Sequence, residues 1–229
     1  MILATGHKGF IGSYLDYDIG LDIKEGNDIL DCELPDADVI IHLAAISDVV
    51  ESVKNPEETT RTNVLGTVRL AERYKDKRFI FASTGGAIQD EIISPYGLSK
   101  YCAEKFIKMI CKDWVILRFS NVFGKGGHSA AERFIKEDPI TIYGNGSQTR
   151  SWIYIEDLVR GIKDSLNWPK GLYKFGGYNC TIKEMAEATG KEVIYEKWRK
   201  GELKVSNVKN TAPNWENKIN IIDYLKQNG

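Results

Sequence analysis

The chain has 229 residues and a balanced charge, with 31 Lys and Arg against 32 Asp and Glu. This balance argues against a nucleic-acid surface, which needs a basic excess. No apolar run approaches the roughly 18 residues of a membrane span, and the first residues lack the features of a signal peptide. The four cysteines have no metal-type spacing. We therefore expect reduced thiols, a cytoplasmic protein, no metal site and no membrane association.

The chain begins with an apolar segment, residues 2–5, that predicts a short buried strand. A G-x-x-G-x-x-G run follows and is predicted to open a helix of about two turns. Glycines let the backbone approach a pyrophosphate, which a helix N-terminus also favours. The run therefore predicts a dinucleotide site made by Gly6, Gly9, Phe10, Ile11 and Gly12.

The second strand is predicted over residues 19–23, with Asp22 near its end. A carboxylate there accepts hydrogen bonds from the adenosine ribose and repels a 2′-phosphate, which favours NAD over NADP. Asp22 follows the glycine run more closely than the ~20 residues of a full unit. Asp28 or Asp31 could therefore take its place, and Asp31 with Cys32 could instead flank the adenine.

A third strand is predicted over residues 39–45, which are apolar almost throughout, as expected of a parallel strand covered on both faces. Leu43, Ala44 and Ala45 at its end would leave room for a dinucleotide. We interpret His42, inside the strand, as structural. A helix is predicted over residues 57–76, where Asn63 is either close to the cofactor or simply a polar helix residue.

A strand over residues 78–83 and a helix over residues 95–112 carry the residues suited to proton transfer. Thr84 follows the strand, and Tyr96 and Lys100 lie one helical turn apart near the start of the helix. A nearby lysine cation favours the phenolate, so the tyrosine could take or give a proton. Tyr101 and Lys105 repeat this spacing deeper in the helix, where a tyrosine more often serves packing.

A fifth strand over residues 114–119 completes a pattern of strands separated by helices, which predicts an α/β fold with a doubly wound parallel sheet of the Rossmann type. The later elements are shorter. We predict a dinucleotide-binding domain from residues 1–120 with 152–178, and a small C-terminal substrate lobe from residues 121–151 with 179–229. The later elements are predicted as helices over 130–136, 156–167, 182–189 and from about 215, and strands over 140–143, 152–155, 172–175 and 192–196.

Several motifs occur in one order along nearly the whole chain. They are T-G-H-K-G-F-I-G at 5–12, H-L-A-A at 42–45, N-V-L-G-T at 63–67, S-T at 83–84, P-Y-G-L-S-K at 95–100, L-R-F-S-N-V-F-G at 117–124, Y-G-N-G-S-Q-T-R at 143–150 and Y-I-E-D at 154–157. In this order they resemble the extended short-chain dehydrogenase/reductases of the NAD-dependent sugar epimerase/dehydratase family. The resemblance implies NAD as cofactor and a nucleotide-sugar substrate, a UDP- or dTDP-hexose, bound between the two domains.

The resemblance also implies roles for individual residues. Thr84, Tyr96 and Lys100 would be the catalytic hydroxyl, the acid/base and its cationic partner, all close to the substrate or NAD. Ser120 would contact NAD, and Asn121, Arg150 and Arg199 would hold the substrate, where an arginine fork matches phosphate oxygens. Arg199 lies in a basic run and is equally consistent with a solvated surface charge.

Family members commonly form homodimers through two helices, here residues 57–76 and 95–112, and Leu65, Met109 and Ile110 supply spare apolar side chains. The resemblance favours 4-epimerisation, because 4,6-dehydratases carry an Asp-Glu pair directly after the catalytic threonine where this chain has Gly85 and Gly86. A dehydratase, reductase or decarboxylase of the family remains an alternative. The shortened substrate lobe also leaves a non-enzymatic NAD-binding relative as an alternative.

Overall fold

A computed structural model describes residues 1–88, 92, 94–198 and 204–229. The chain divides into two compact units, one made by Met1–Arg118 with Ile162–Tyr173 and the other by Phe119–Gly161 with Lys174–Gly229. Within the described residues, no helix combines the length and apolarity needed to cross a membrane. The same residues include no group of three or more His, Cys, Asp or Glu side chains placed to hold a metal ion.

The described strands are β1 Ile2–Thr5, β2 Ile19–Leu21, β3 Val39–His42, β4 Arg78–Thr84, β5 Asp113–Phe119, β6 Asn121–Phe123, β7 Ile140–Tyr143, β8 Thr149–Tyr154, β9 Gly171–Phe175, β10 Tyr178–Thr181, β11 Val193–Glu196 and β12 Val205–Ser206. The described α-helices are α1 Val49–Lys54, α2 Pro56–Thr60, α3 Thr67–Arg73, α4 Pro95–Ile110, α5 Ala130–Lys136, α6 Ile155–Asp164, α7 Ile182–Thr189 and α8 Ile221–Asn228. Short 3₁₀ turns cover Gly12–Tyr14, Ile23–Glu25, Gly85–Ile88 and Ser165–Asn167.

The main sheet has the strand order β2-β1-β3-β4-β5-β9, and β1 runs parallel to both β2 and β3. The chain turns from one side of β1 to the other between β2 and β3, and ligands of such sheets bind where the strand order reverses. Core side chains from strands and helices are fully buried, among them Leu3, Ile40, Phe79, Leu70 and Ile107. The predicted Rossmann-type α/β fold, including the late strand over residues 172–175, is confirmed.

The segment after the glycine run contradicts one prediction. Instead of a two-turn helix, only the 3₁₀ turn Gly12–Tyr14 forms. The chain must return to β2 at Ile19, and it reaches that strand through Asp18, whose N–H donates to the Ile2 carbonyl and whose carboxylate accepts from the Ile2 N–H. Too few residues remain for a helix. A macrodipole argument for pyrophosphate binding therefore does not apply to this loop.

The helix predicted over residues 57–76 is also interrupted. The structure has α2, then a π-helical segment Arg61–Gly66, then α3. A π-helical turn widens the helix by one residue and often marks a functional site. Here it carries Asn63, whose contacts are described below.

In the second unit, β8 pairs antiparallel with β10 and parallel with β6 and β12. β7 and β11 form a separate parallel pair. Strand β6, Asn121–Phe123, is not among the predicted strands. A buried cluster fills this unit, including Phe123, Phe134, Ile142, Met185 and Leu225.

The last helix begins at Ile221 and not near residue 215 as predicted. The Asp157 carboxylate on α6 accepts the backbone N–H groups of Lys218 and Ile219, and the Asp157 carbonyl accepts from Trp215 Nε1. These bonds hold residues 215–219 against α6 in a non-helical course. Asn220 then caps the helix, its side chain accepting from the Ile222 N–H.

Candidate active site

Tyr96 lies in the first turn of α4, as the sequence predicts. Ser94 caps this helix by accepting the Gly97 N–H at 3.1 Å, and Pro95 occupies the first turn, where its missing N–H costs nothing. The cap fixes where the helix begins. It therefore fixes the position of Tyr96 relative to the end of β4.

The backbone of Tyr96 is held on both sides. Its N–H donates to Ser52 Oγ on α1 at 3.2 Å, and its carbonyl accepts from Ser99 Oγ at 2.8 Å. Ser99 in turn accepts from Asn63 Nδ2 at 3.0 Å. Asn63, predicted near the cofactor, is 1% exposed and also makes two bonds to the backbone of Ile46. Its visible role is to connect the loop after β3 to α4.

Thr84 and Tyr96 meet through a side-chain hydrogen bond. Burial raises the pKa of Tyr96 to about 12, and the hydrogen bond from Thr84 opposes this shift only in part. The Tyr96–Lys100 spacing predicts a lowered pKa for Tyr96, and this prediction is wrong. The tyrosine as a whole is half-buried, but its hydroxyl lies in dense protein where the phenolate is poorly solvated.

Lys100 is itself buried, and its charge therefore does not offset the effect of burial on the pKa of Tyr96. The side chain is 3% exposed, and its ammonium nitrogen lies 4.2 Å from the centre of the Phe81 ring. Burial lowers the pKa of Lys100 to about 7, with Glu104 opposing the shift. The lysine and the tyrosine are therefore both driven towards their neutral forms. Two titrating groups whose environments push their pKa values apart are typical of acid–base sites.

Glu104, one turn after Lys100, is the residue at this site that the sequence argument missed. It is fully buried and accepts from Arg118 Nε at 2.7 Å and Nη2 at 2.6 Å, in a bidentate pair. It also accepts from Ser83 Oγ at 2.5 Å. The i,i+4 spacing of Lys100 and Glu104 was visible in the sequence, but Arg118 reaches it only through the packing of α4 on β5.

The glycine run forms a tight turn that fits a bound dinucleotide. Gly6 has φ +72°, and a Cβ there would lie 2.7 Å from the Ala44 nitrogen. A Cβ on Gly12 would lie 2.3 Å from the Gly6 carbonyl oxygen. Phe10 and Ile11 are half-buried in the same loop. The turn therefore brings the backbone after β1 against the backbone after β3, including Leu43, Ala44 and Ala45.

Asp22 faces this glycine loop. It is 6% exposed, and its two carboxylate oxygens accept from the backbone N–H groups of Lys8 at 2.8 Å and Lys24 at 3.0 Å. A carboxylate has about four lone-pair positions, so capacity remains for ribose hydroxyls. Of the three acids considered, Asp22 is the one bonded to the glycine loop.

The alternatives to Asp22 lie in a separate loop. Asp28 accepts the Leu30 N–H, and Asp31 is exposed. The Cys32 carbonyl accepts from Arg69 Nη2 at 2.6 Å, which ties this loop to α3. The contact of Asp31 and Cys32 with the adenine stays a prediction.

His42 is structural, as interpreted from the sequence. It is fully buried, with Nδ1 2.7 Å from Thr5 Oγ1 and Nε2 2.9 Å from Thr67 Oγ1. The Thr67 hydroxyl donates to the Asn63 carbonyl, so it accepts from Nε2–H of a neutral ring. Burial lowers the pKa of His42 well below its usual range, in agreement with this tautomer.

Ser120, directly after β5, has a buried hydroxyl without a hydrogen-bond partner among the described residues. A buried hydroxyl of this kind is costly without a hydrogen-bond partner, and the predicted contact with NAD would supply one.

In the second unit, Asn121 and Arg150 lie on neighbouring strands. Asn121 Nδ2 donates to the Ser151 carbonyl at 3.2 Å, and Arg150 Nη1 donates to the Thr149 carbonyl at 2.9 Å. The two predicted substrate residues are thus brought together. Arg199 lies outside the described residues.

Comparison with known proteins agrees with this geometry. The family model of the NAD dependent epimerase/dehydratase family matches residues 19–180. The chain belongs to this family. NAD is therefore its cofactor, and the glycine turn and Asp22 in the first unit are compatible with holding it.

Individual relatives include both epimerases and dehydratases. A Methanocaldococcus jannaschii protein named "Putative UDP-glucose 4-epimerase" is 32% identical, covering 89% of this chain and 88% of that protein. A dTDP-D-glucose 4,6-dehydratase of Dictyostelium discoideum is 30% identical, covering 69% of this chain and 53% of its own length. The UDP-glucuronic acid 4-epimerase of Bacillus cereus, solved with UDP-glucuronic acid and NAD, has a TM-score of 0.87 at 27% identity, covering 99% of this chain and 97% of that one.

Proposed function

We propose that this family member is an NAD-dependent 4-epimerase of a UDP- or dTDP-hexose. The observation that carries the proposal is the Thr84–Tyr96 hydrogen bond, with Lys100 one turn further along α4 and two glycines directly after Thr84. Bound NAD supplies the acceptor and later the donor of the hydride at C4. The chain supplies the proton transfer at the O4 hydroxyl.

Tyr96, once it is a phenolate, takes the proton from the C4 hydroxyl of the sugar and returns it to the epimeric product. Because burial disfavours the phenolate, this transfer needs a nearby positive charge, and the buried Lys100 amine gains a proton more readily when the phenolate forms. Thr84 orients the phenol and can bind the same sugar oxygen. If the bound 4-keto sugar turns over in the site, NAD, when bound, would supply hydride to the other face of C4.

The glycines after Thr84 support epimerisation over dehydration. Loss of water from C5 and C6 needs a further acid and base beside the sugar. Gly85 and Gly86 have no side chain that could move a proton.

Asn121 and Arg150 would hold the diphosphate side of the substrate, and Arg199 would assist. Reductase or decarboxylase chemistry is a further outcome that the experiment below detects.

We also propose a homodimer formed through the π-helical segment with α3 and through α4. Leu65 and Met109 are 55% and 81% exposed, as an interface requires, whereas Ile110 is half-buried and packs against the core of its own unit. Phe106, one turn before Ile110, is 40% exposed and adds to this face.

We propose that the protein works in the cytoplasm, because its cysteines are free thiols.

The proposed function is tested by incubating the protein with NAD and UDP-glucose, UDP-glucuronate or dTDP-glucose, followed by product analysis. A C4 epimer is expected from at least one of them. Tyr96→Phe should lose most of this activity and still bind NAD. Tyr101→Phe is the matched control, because Tyr101 repeats the spacing with Lys105 and lies further along the helix. Equal activity of wild type and Tyr96→Phe contradicts the proposal.

A further inference from the structure

Glu25 contacts the side chains of His7 and Lys8 in the glycine loop. It ends the 3₁₀ turn after β2, and its two carboxylate oxygens lie 2.9 Å from Lys8 Nζ and 3.1 Å from His7 Nε2. The Lys8 and Glu25 side chains are 47% and 42% exposed, so this pair lies at the protein surface. The His7 ring is buried against Gly20 of β2.

Lys8 is also one of two residues whose backbone N–H groups bind the Asp22 carboxylate. Its backbone N–H donates to one Asp22 oxygen, while its side chain turns to Glu25. Lys24 completes the arrangement, because its N–H binds the other Asp22 oxygen and its ammonium group donates to the Lys8 carbonyl at 3.0 Å. Two lysines and two carboxylates thus surround one point of the loop. The lysine stem is flexible and long enough to reach a group bound at the Asp22 carboxylate.

We propose that Glu25 is a specificity-determining residue that keeps Lys8 away from the 2′-position of the adenosine ribose. The inference rests on the proposed placement of that ribose at Asp22. A basic side chain near this position accommodates the 2′-phosphate of NADP, whereas a carboxylate opposes it. Glu25 acts differently from Asp22. It pairs with the Lys8 ammonium group, which would otherwise bind the 2′-phosphate of NADP. Discrimination against NADP therefore depends on two carboxylates.

The experiment measures NAD⁺ and NADP⁺ binding by calorimetry for wild type, Glu25→Gln, Lys8→Gln and the double variant. Glu25→Gln should lower the NADP⁺ dissociation constant roughly three- to tenfold, as expected for one freed surface cation, and change that of NAD⁺ by less than about twofold. The double variant should return to the wild-type value. High salt should remove the gain, because it screens the exposed lysine from the phosphate.

Asp36→Asn is the matched control. Asp36 is also an exposed carboxylate paired with a basic side chain, Arg73, but it precedes β3, whereas Glu25 follows β2, so the two lie at opposite ends of the parallel strands. The Asp36→Asn substitution removes one negative charge, as Glu25→Gln does, and should leave NADP⁺ binding unchanged. An equal gain in this control would show a general charge effect and overturn the proposal.

Asp22→Asn separates failure of this inference from failure of the ribose placement. If Asp22→Asn relaxes discrimination against NADP⁺ and Glu25→Gln does not, the placement stands and the role of Glu25 is wrong. If neither variant changes the ratio of the two dissociation constants, the ribose does not lie here and both ideas are wrong. A gain for Glu25→Gln that persists in the double variant also overturns the role of Lys8.

Discussion

Glu104 receives the Arg118 guanidinium in a buried bidentate pair, one helical turn after Lys100. The Nε and Nη2 atoms lie 2.7 and 2.6 Å from the two carboxylate oxygens. Ser83 donates to the same carboxylate, so α4, β4 and β5 converge on it. Thr84 directly follows Ser83, and Lys100 shares the helix with Glu104. The pair therefore holds together the elements that carry the proposed catalytic groups.

Breaking this pair should destabilise the protein strongly. Glu104→Gln leaves the Arg118 charge buried without its counter-charge, and we expect a loss of about 3–5 kcal/mol in the free energy of unfolding. Asp36→Asn removes one partner of the exposed pair with Arg73 and should cost less than about 1 kcal/mol. Urea unfolding of the two variants measures both. Similar losses in the two variants would contradict the account of a buried structural pair.

The buried Lys100 should make stability depend on pH. Its pKa falls from 10.5 to about 7 on folding, so above pH 7 the folded chain holds fewer protons at this site than the unfolded chain. The stability contributed by the site is therefore lowest below pH 7 and rises with pH, by at most about 1.4 kcal/mol per unit. Lys100→Met should lack this rise. The measurement is urea unfolding of both proteins between about pH 7 and pH 8.5, where titration of the cysteine thiols contributes equally to both proteins and cancels in the comparison.

In that comparison, the stability of wild type relative to Lys100→Met should increase with pH. Parallel pH dependence of the two proteins would show that the Lys100 amine is charged in the folded state at neutral pH. The proposed exchange of charge with Tyr96 would then lack its basis.

The crowding at Gly6 predicts a loss of cofactor binding on substitution. Gly6→Ala places a Cβ 2.7 Å from the Ala44 nitrogen at a positive φ, so the turn must open, and NAD⁺ affinity should fall at least about tenfold. Gly190→Ala is the control, because Gly190 has a similar φ of +70° and no atom within 4 Å of a Cβ. It should cost about 1–2 kcal/mol of stability and leave NAD⁺ affinity unchanged. Calorimetry that finds equal affinities for the two variants would contradict the assignment of the loop.

The proposed dimer predicts a change of mass when its apolar face becomes charged. Wild type should give about twice the 25.8 kDa of one chain in light scattering at micromolar concentration. Met109→Lys with Leu65→Lys should give a monomer, because a charge buried in an interface costs several kcal/mol. Val205→Lys, at another exposed apolar position, should leave the dimer intact. A wild-type monomer would contradict the proposal.

The sequence predicted elements where local pattern decides the structure. The apolar run Phe79–Ala82 became a buried part of β4, and the Ser94–Pro95 pair fixed the start of α4. The helix expected after Gly12 failed because the short return to β2 overrides local helix preference. The start of the last helix depends on Asp157, a distant residue that no local pattern reveals.

At the site, the sequence predicted that Thr84 and Tyr96 lie close together and that Lys100 follows one turn along α4, but it did not predict their charge states. Tyr96, Lys100 and Thr84 were predicted from spacing and strand ends. The direction of the Tyr96 pKa shift depends on how densely protein surrounds the hydroxyl, which is a property of packing. Glu104 and Arg118 were missed for the same reason, because β5 brings the arginine to α4 only in the folded chain.

The most direct test of the proposed reaction is to run it in deuterium oxide with the nucleotide-sugar that turns over. A 4-epimerase that returns the same hydride should give the C4 epimer without deuterium bonded to carbon, and its mass should be unchanged once the hydroxyl groups have been exchanged back in ordinary water. NMR of the C4 proton together with mass spectrometry measures both. A 4-keto-6-deoxy product that has lost water and carries solvent deuterium would contradict the epimerase proposal and assign the chain to the dehydratases.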